Sequence, residues 1–131
     1  MSTYLLDTSV IIDVLRGVRR RAEILERLLA DGHLLAFTAI NVAEVFAGMR
    51  SKERRPTVAL LASLEHYDIT RDIAEKAGAL RREWATRGRT LTLPDCLIAA
   101  AALTHDLVLV TDNAKDFPMP GLLRHAFHAE A

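Results

Sequence analysis

The chain reads as an α/β domain of three layers, with a short, mostly parallel sheet between two layers of helices. Three observations carry this reading. Short apolar runs at residues 4–6, 34–37 and 107–110 have strand length, and the segments between them place apolar residues at three- and four-residue spacing. Strands separated by helical patterns need crossover connections, which favour parallel pairing and a sheet covered on both faces. With 131 residues and 50% apolar content, the chain suits one domain, burying roughly two-thirds of the surface it exposes unfolded. Residues 1–131 are therefore expected to form a single unit.

The elements follow in order. Tyr4-Leu5-Leu6 is a strand that runs into Asp7-Thr8-Ser9, after which Val10, Ile11, Val14 and Leu15 recur at helical spacing up to Gly17. A second helix puts Ala22, Leu25, Leu28 and Leu29 on one face and Arg19, Arg20, Glu23, Glu26 and Arg27 on the other, ending at Asp31-Gly32. Residues 34–37 form a buried strand. Thr38 and Asn41 offer caps for a helix carrying Val42, Val45, Phe46 and Met49. Residues 51–56 break it from the next helix, with Val58, Leu61 and Leu64 on one side. Tyr67-Asp68-Ile69 is a third short strand, and residues 71–87 form the longest helix, with Ile73, Ala77, Leu80 and Trp84 inward and Gly88 as its stop. A helix over 94–105 passes almost without a loop into strand 107–110. A polar turn over 111–117 follows, and residues 122–127 are expected to add a weak edge strand.

Composition narrows the function. Seventeen basic residues balance seventeen acidic ones, so attraction to a polyanion must be local. Apolar stretches are far shorter than a membrane span, and the first residues lack the pattern of a signal peptide, so a cytoplasmic protein is expected. Cys96 is the single cysteine; it suits a reducing compartment and is read as a small core residue.

Acidic residues carry the chemistry. In a parallel sheet every strand points its carboxyl end to one edge, where ligands bind. Asp7 leaves the first strand there, Glu44 lies early in the helix after the second, and Asp112 and Asp116 follow the 107–110 strand. The helix containing Asp95 leads directly into that strand, so its beginning returns to the same edge. Taken singly, each acid has a plain structural use: Asp7 as a helix cap, Glu44 and Asp95 in capping-box spacing from Asn41 and Thr92, and Asp112 or Asp116 in a turn. Taken together they would repel one another unless a cation neutralised them. Carboxylates with water suit Mg2+ or Mn2+, and His33, His66, His105, His125 and His128 show no paired spacing for zinc.

Four stretches in this order resemble a PIN domain, in particular the VapC-type toxin ribonucleases of bacterial type II toxin–antitoxin systems. They are residues 4–12 (YLLDTSVII), 41–45 (NVAEV), 93–102 (LPDCLIAAAA) and 109–117 (LVTDNAKDF). The resemblance implies a PIN-like αβα fold and a metal-dependent endoribonuclease that hydrolyses RNA phosphodiester bonds. Asp7 and Asp95 would be the principal Mg2+ ligands, Glu44 would complete the pocket and help to activate water, and Thr8, Ser9 and Thr111 would support them. Asn113 stands where many relatives carry aspartate, which leaves the fourth position to Asp112, to Asp116, or to Asn113 through a water. A VapB-like antitoxin, an RNA substrate and a homodimer are the partners implied, with no membrane.

Phosphate contacts would come from Arg16, the 19–21 arginine run, Arg50, Lys52, Arg54, Arg55, or the group of Arg81, Arg82, Arg87 and Arg89. Trp84, at helical spacing from Leu80 and Ala77, is read as core. Val42, Val45, Phe46, Met49, Val58, Leu61 and Leu64 could line an antitoxin groove, with most of them expected inside. Other α/β classes fit less well. A haloacid-dehalogenase-type enzyme needs an aspartate where Ser9 stands, and a receiver domain needs an acidic pair where Leu6 precedes Asp7. The rival from a different class is a non-catalytic adaptor that keeps the fold.

Overall fold

A computed structural model describes residues 2–126. In chain order it contains β1 (Thr3–Leu6), α1 (Thr8–Leu15), α2 (Arg19–Ala30), β2 (Leu34–Thr38), α3 (Ala39–Gly48), α4 (Arg54–Ala62), β3 (Glu65–Tyr67), α5 (Arg71–Thr86), α6 (Leu93–His105), β4 (Val108–Thr111) and β5 (Arg124–Ala126). Single 3-10 turns lie at Ser51–Glu53 and Ala114–Asp116. The strands form one sheet in the order β3-β2-β1-β4-β5, and every pairing is parallel.

Alternation along the strands assigns the helices to their layers. Leu5, Ala36 and Leu109 point to one face, where Ile73 and Ala77 of α5 and Cys96 to Ala102 of α6 cover them. Leu6, Leu35, Phe37 and Val110 point to the other, against Val10 and Ile11 of α1, Ile24, Leu25 and Leu28 of α2, Val45 of α3 and Leu61 of α4. Ala99, Ala100 and Ala101 are fully enclosed; their small side chains let α6 lie close to both the sheet and α5. Cys96 is also fully buried, and burial pushes its thiol pKa up, as an inert core residue requires. Trp84 packs against the same cluster.

Several boundaries differ from the sequence expectation. The strand placed at Tyr67-Asp68-Ile69 is Glu65–Tyr67, in register with Ala36 to Thr38 of β2. As an edge strand it leaves Glu65 and His66 exposed, so backbone pairing defines it and no apolar run marks it. The break expected over 51–56 is shorter, because α4 already starts at Arg54. Pro56 sits in its first turn, where the missing N–H has no intrahelical acceptor to lose. Val58 is therefore not inward: it is 45% exposed, while Thr57 is fully buried and its hydroxyl donates to Glu53 O at 2.7 Å. Helix α6 starts at Leu93, one residue earlier than expected, and ends on Asp106 in the left-handed region at φ 55, so Leu107 precedes β4. The expected tail strand is β5, parallel to β4; Phe127 and His128 lie outside the described residues.

Candidate active site

Strand order reverses beside β1. The chain runs outward through β1, β2 and β3, then returns to place β4 on the other side of β1. Such a reversal opens a crevice at the carboxyl edge of the sheet. Asp7 follows β1 at this point, and Thr111 closes β4; the Asp7 N–H donates to Val110 O at 2.9 Å, tying the two exits together.

Asp7 is the N-cap of α1 and is only 8% exposed. Its Oδ1 accepts the Thr8 N–H at 2.8 Å and its Oδ2 accepts the Thr111 hydroxyl at 2.8 Å. That hydroxyl in turn accepts the Asn113 N–H at 2.9 Å, which turns its proton toward Asp7. Capping alone does not describe this carboxylate. Burial raises its pKa from 3.8 to about 6 against the lowering effect of the Thr111 and Thr8 bonds, and the charges of Asp95 and Glu44 push the same way as burial.

Glu44 owes its place to where α3 begins. Thr38 is the N-cap and Asn41 closes the capping box with it, so the spacing from Asn41 to Glu44 is not a cap at all. Glu44 Oε1 accepts the Thr8 hydroxyl at 2.6 Å. Asn41, fully buried, donates from Nδ2 to Thr8 Oγ1 at 3.0 Å and to Leu6 O at 3.2 Å, while its Oδ1 accepts the Thr38 N–H at 2.7 Å. One amide thus links the end of β1, the start of α1 and the start of α3. Asp95 lies in the first turn of α6, where its N–H donates to the hydroxyl of the Thr92 cap at 3.2 Å. Burial raises the Asp95 pKa, the Thr92 hydroxyl opposes this, and Asp116 and Glu44 add to the rise.

Asp7, Glu44, Asp95 and Asp116 therefore share one electrostatic neighbourhood. Asp112, grouped with them on sequence, is engaged by other partners. Its Oδ2 accepts Arg21 Nη2 at 2.6 Å, and its Oδ1 lies 3.4 Å from the Ser9 hydroxyl. Arg21 Nε also donates to Asp13 Oδ2 at 3.1 Å. Asn113 is exposed and contributes its backbone N–H to Thr111.

Sequence reasoning missed Asn41 as a connector and Asp13 as a member of the site's surroundings, and it read Arg21 only within an arginine run. A buried amide three residues before Glu44 was visible as a pattern, but nothing separated it from an ordinary cap. Arg21 carries no local signal, because its partner Asp112 lies 91 residues away, and Asp13 joins the surroundings only through Arg21.

The donors gathered at this edge are carboxylate oxygens, which suit a hard divalent cation better than zinc. Among the described residues, no group of three or more His, Cys, Asp or Glu side chains is placed so that it could hold a metal ion. Magnesium commonly takes one or two carboxylates and keeps several waters, so a spaced set of acids fits it.

Two apolar cavities flank α1. One is lined by Ile12, Leu15, Arg16, Val45 and Met49, the other by Val14, Leu25, Leu29, Leu60 and Leu64. Of the residues expected in a groove, Val45 and Met49 belong to the first, Leu64 to the second, and Val58 to neither. Among the described residues no helix is long and apolar enough to cross a membrane.

Residues 4–118 match the model of the PIN domain family. The chain is 39% identical to ribonuclease VapC10 of Mycobacterium tuberculosis over 123 residues, covering 94% of this chain and 92% of that one. Among solved structures, a toxin–antitoxin complex from Klebsiella pneumoniae matches with a TM-score of 0.76 and 35% identity, covering 92% of this chain and 95% of its counterpart. The VapBC2 complex of Rickettsia felis, bound to a promoter DNA fragment, matches with a TM-score of 0.82 and 27% identity over 95% and 98% of the two chains.

Proposed function

The chain belongs to the PIN-domain family, and from that premise we propose that it is the ribonuclease toxin of a type II toxin–antitoxin pair, cutting RNA through its acidic pocket with Mg2+. The observation that carries the reading is the meeting of Asp7, Glu44 and Asp95 from three distant segments, close enough that the charges of Asp95 and Glu44 add to the rise that burial imposes on Asp7, and that of Glu44 adds to the rise on Asp95. An adaptor that merely kept the fold would have no use for such mutual repulsion.

Asp7 and Asp95 would hold the cation, with Asp116 as the further acid on the side of Asp95. Such an ion would neutralise these acids and supply Lewis-acid stabilisation of the charge that develops on the phosphoryl group. The protein does the rest. Thr8 and Thr111 hold Glu44 and Asp7 so that their oxygens cannot turn away. Thr8 engages one Glu44 oxygen, and the other accepts a proton from the attacking water as its oxygen bonds to phosphorus. The bond from phosphorus to the leaving ribose oxygen breaks, and that oxygen takes a proton from solvent. With a pKa of about 6, Asp7 is mostly ionised at neutral pH, as binding a cation requires.

The RNA backbone would be gripped by local cations, since the chain has no net charge. Arg16, Arg50 and Lys52 all bear on Glu53, whose pKa is lowered first by the Arg50 N–H and then by these charges. Lys52, Arg54 and Arg55 line an open groove beside them. A VapB-like antitoxin would close the pocket by supplying its own cation to the acids, with the apolar cavities beside α1 seating its chain.

The test is cleavage of a broad RNA pool with and without Mg2+, for the wild type and for folded Asp7→Asn and Asp95→Asn variants. Metal-dependent cutting that falls by about a hundredfold or more in either variant is expected. Cutting without metal, or undiminished cutting by the variants, would reject the mechanism. A wild type that binds RNA and never cuts it would favour the adaptor.

A further inference from the structure

Asp112 sits in the middle of a short segment with a working group at each end. Thr111, just before it, holds Asp7. Asn113, just after it, orients the Thr111 hydroxyl with its N–H and accepts the Asp116 N–H on its carbonyl at 2.9 Å. Movement at position 112 would therefore be felt by Asp7 on one side and by Asp116 on the other.

What anchors that position is a bracket built from two other elements. Arg21, in the first turns of α2, places Nη2 on Asp112 and Nε on Asp13 of α1. Ser9, four residues before Asp13 and on the same face of α1, approaches the second Asp112 oxygen at 3.4 Å. The Arg21 and Asp112 side chains are 19% and 23% exposed, so water screens this pair less than it does the outlying Arg19–Glu23 pair at 90% and 57%. Two carboxylates, Asp13 and Asp112, already share this guanidinium. Both Asp112 oxygens are engaged, which leaves it poorly placed to serve as a ligand.

We propose that Arg21 and Asp112 are a positioning pair: by fixing the segment that leaves β4 they aim Asp7 and set Asp116 against Asp95, while Asp112 itself does not hold the cation. The inference rests on the acidic pocket's being a divalent-cation site. It assigns to α2, which carries none of the acids, a direct part in shaping that pocket.

The experiment is calorimetric titration of the metal-free protein with MgCl2, alongside its unfolding temperature in EDTA and its kcat and KM on RNA. The proteins are the wild type, Arg21→Met, Arg21→Lys, Asp112→Asn and the double variant Arg21→Met/Asp112→Asn. Each neutralising substitution should weaken magnesium binding by about tenfold, the range found for groups that orient a ligand. The double variant should be no weaker than the worse single, because both break one contact. Arg21→Lys should recover part of the loss, and kcat should fall more than KM changes. Opposite signs would overturn the proposal: if Asp112 were a ligand, Arg21→Met would release a carboxylate and tighten binding while Asp112→Asn loosened it. Lower unfolding temperatures with unchanged magnesium affinity and kcat would reduce the pair to a structural contact and also overturn it. A wild type that takes up no magnesium would instead remove the reading underneath.

Discussion

Replacing Asp7 by asparagine should make the metal-free protein more stable at neutral pH, although it removes a hydrogen-bonded, buried side chain. Holding the carboxyl at about 6 when its ordinary value is 3.8 costs the ionised folded state ~3 kcal/mol. Asparagine has nearly the same shape and no charge. Its single oxygen can keep only one of the bonds now made to the Thr8 N–H and the Thr111 hydroxyl, a loss of ~1 kcal/mol. The net gain is ~2 kcal/mol, or roughly 6–12 °C in unfolding temperature for a chain of this size. The sign follows from the pKa being raised on folding. Below 3.8 the carboxyl is protonated whether folded or not and the wild type bears no penalty; the penalty grows as pH rises and is complete above about 6. Urea or thermal unfolding in EDTA at pH 4 and pH 7.5 reads it directly, with Asp7→Asn nearly level at the lower pH and ahead at the higher. Magnesium should then reverse the order, since a hundredfold excess over its Kd adds ~2.7 kcal/mol to a wild type that binds it and less to the variant. A variant that is less stable than wild type at pH 7.5, or ahead by the same margin at both values, would show that the carboxylate is not electrostatically burdened.

Activity at limiting magnesium should rise with pH through a midpoint near 6, where Asp7 ionises, and the midpoint should move to lower pH as magnesium increases, because cation and proton compete for the same oxygens; a pH–rate series at two metal concentrations checks this. Thr111→Val removes the hydroxyl that lowers the Asp7 pKa, so the Asp7 carboxyl resonance in an NMR titration should have a higher midpoint than in the wild type. Arg50→Gln combined with Lys52→Gln should reduce the salt dependence of single-stranded RNA binding by the Asp95→Asn protein, lowering the log–log slope by ~1.4. Arg81→Gln with Arg82→Gln, on exposed positions of α5, is the comparison that should leave the slope unchanged.

How far the site could be read without coordinates depended on whether a residue's partner was local. The rule that parallel strands present their carboxyl ends together was enough to bring Asp7, Glu44 and Asp95 to one edge, because each lies within a turn or two of a strand exit or a helix start. The use of each acid was harder to see. Glu44 looks like half of a capping box until α3 is known to start at Ala39 after the Thr38 cap, and three residues of register separate the two readings. Asp112 and Asp116 are equivalent on sequence; only Arg21, 91 residues from Asp112, tells them apart. The strand β3 was misplaced for another reason. Its outward side chains include Glu65 and His66, so its pairing is a matter of backbone geometry that composition does not record.

The bracket and the pocket also explain each other's chemistry. A segment carrying Asp112, Asp116 and the Thr111 hydroxyl must sit beside Asp7 and Asp95 although most of its charge is of the same sign as theirs. The Thr111 hydroxyl ties the segment to Asp7, but the carboxylates oppose its approach while no cation is bound, since the Asp95 pKa rises partly because Asp116 is near. A countercharge is needed, and Arg21 supplies it at Asp112. The same guanidinium placed inside would compete with the cation. Dividing the two tasks lets the acids stay close enough to repel one another, so that part of the favourable energy of binding a divalent ion is the relief of that repulsion.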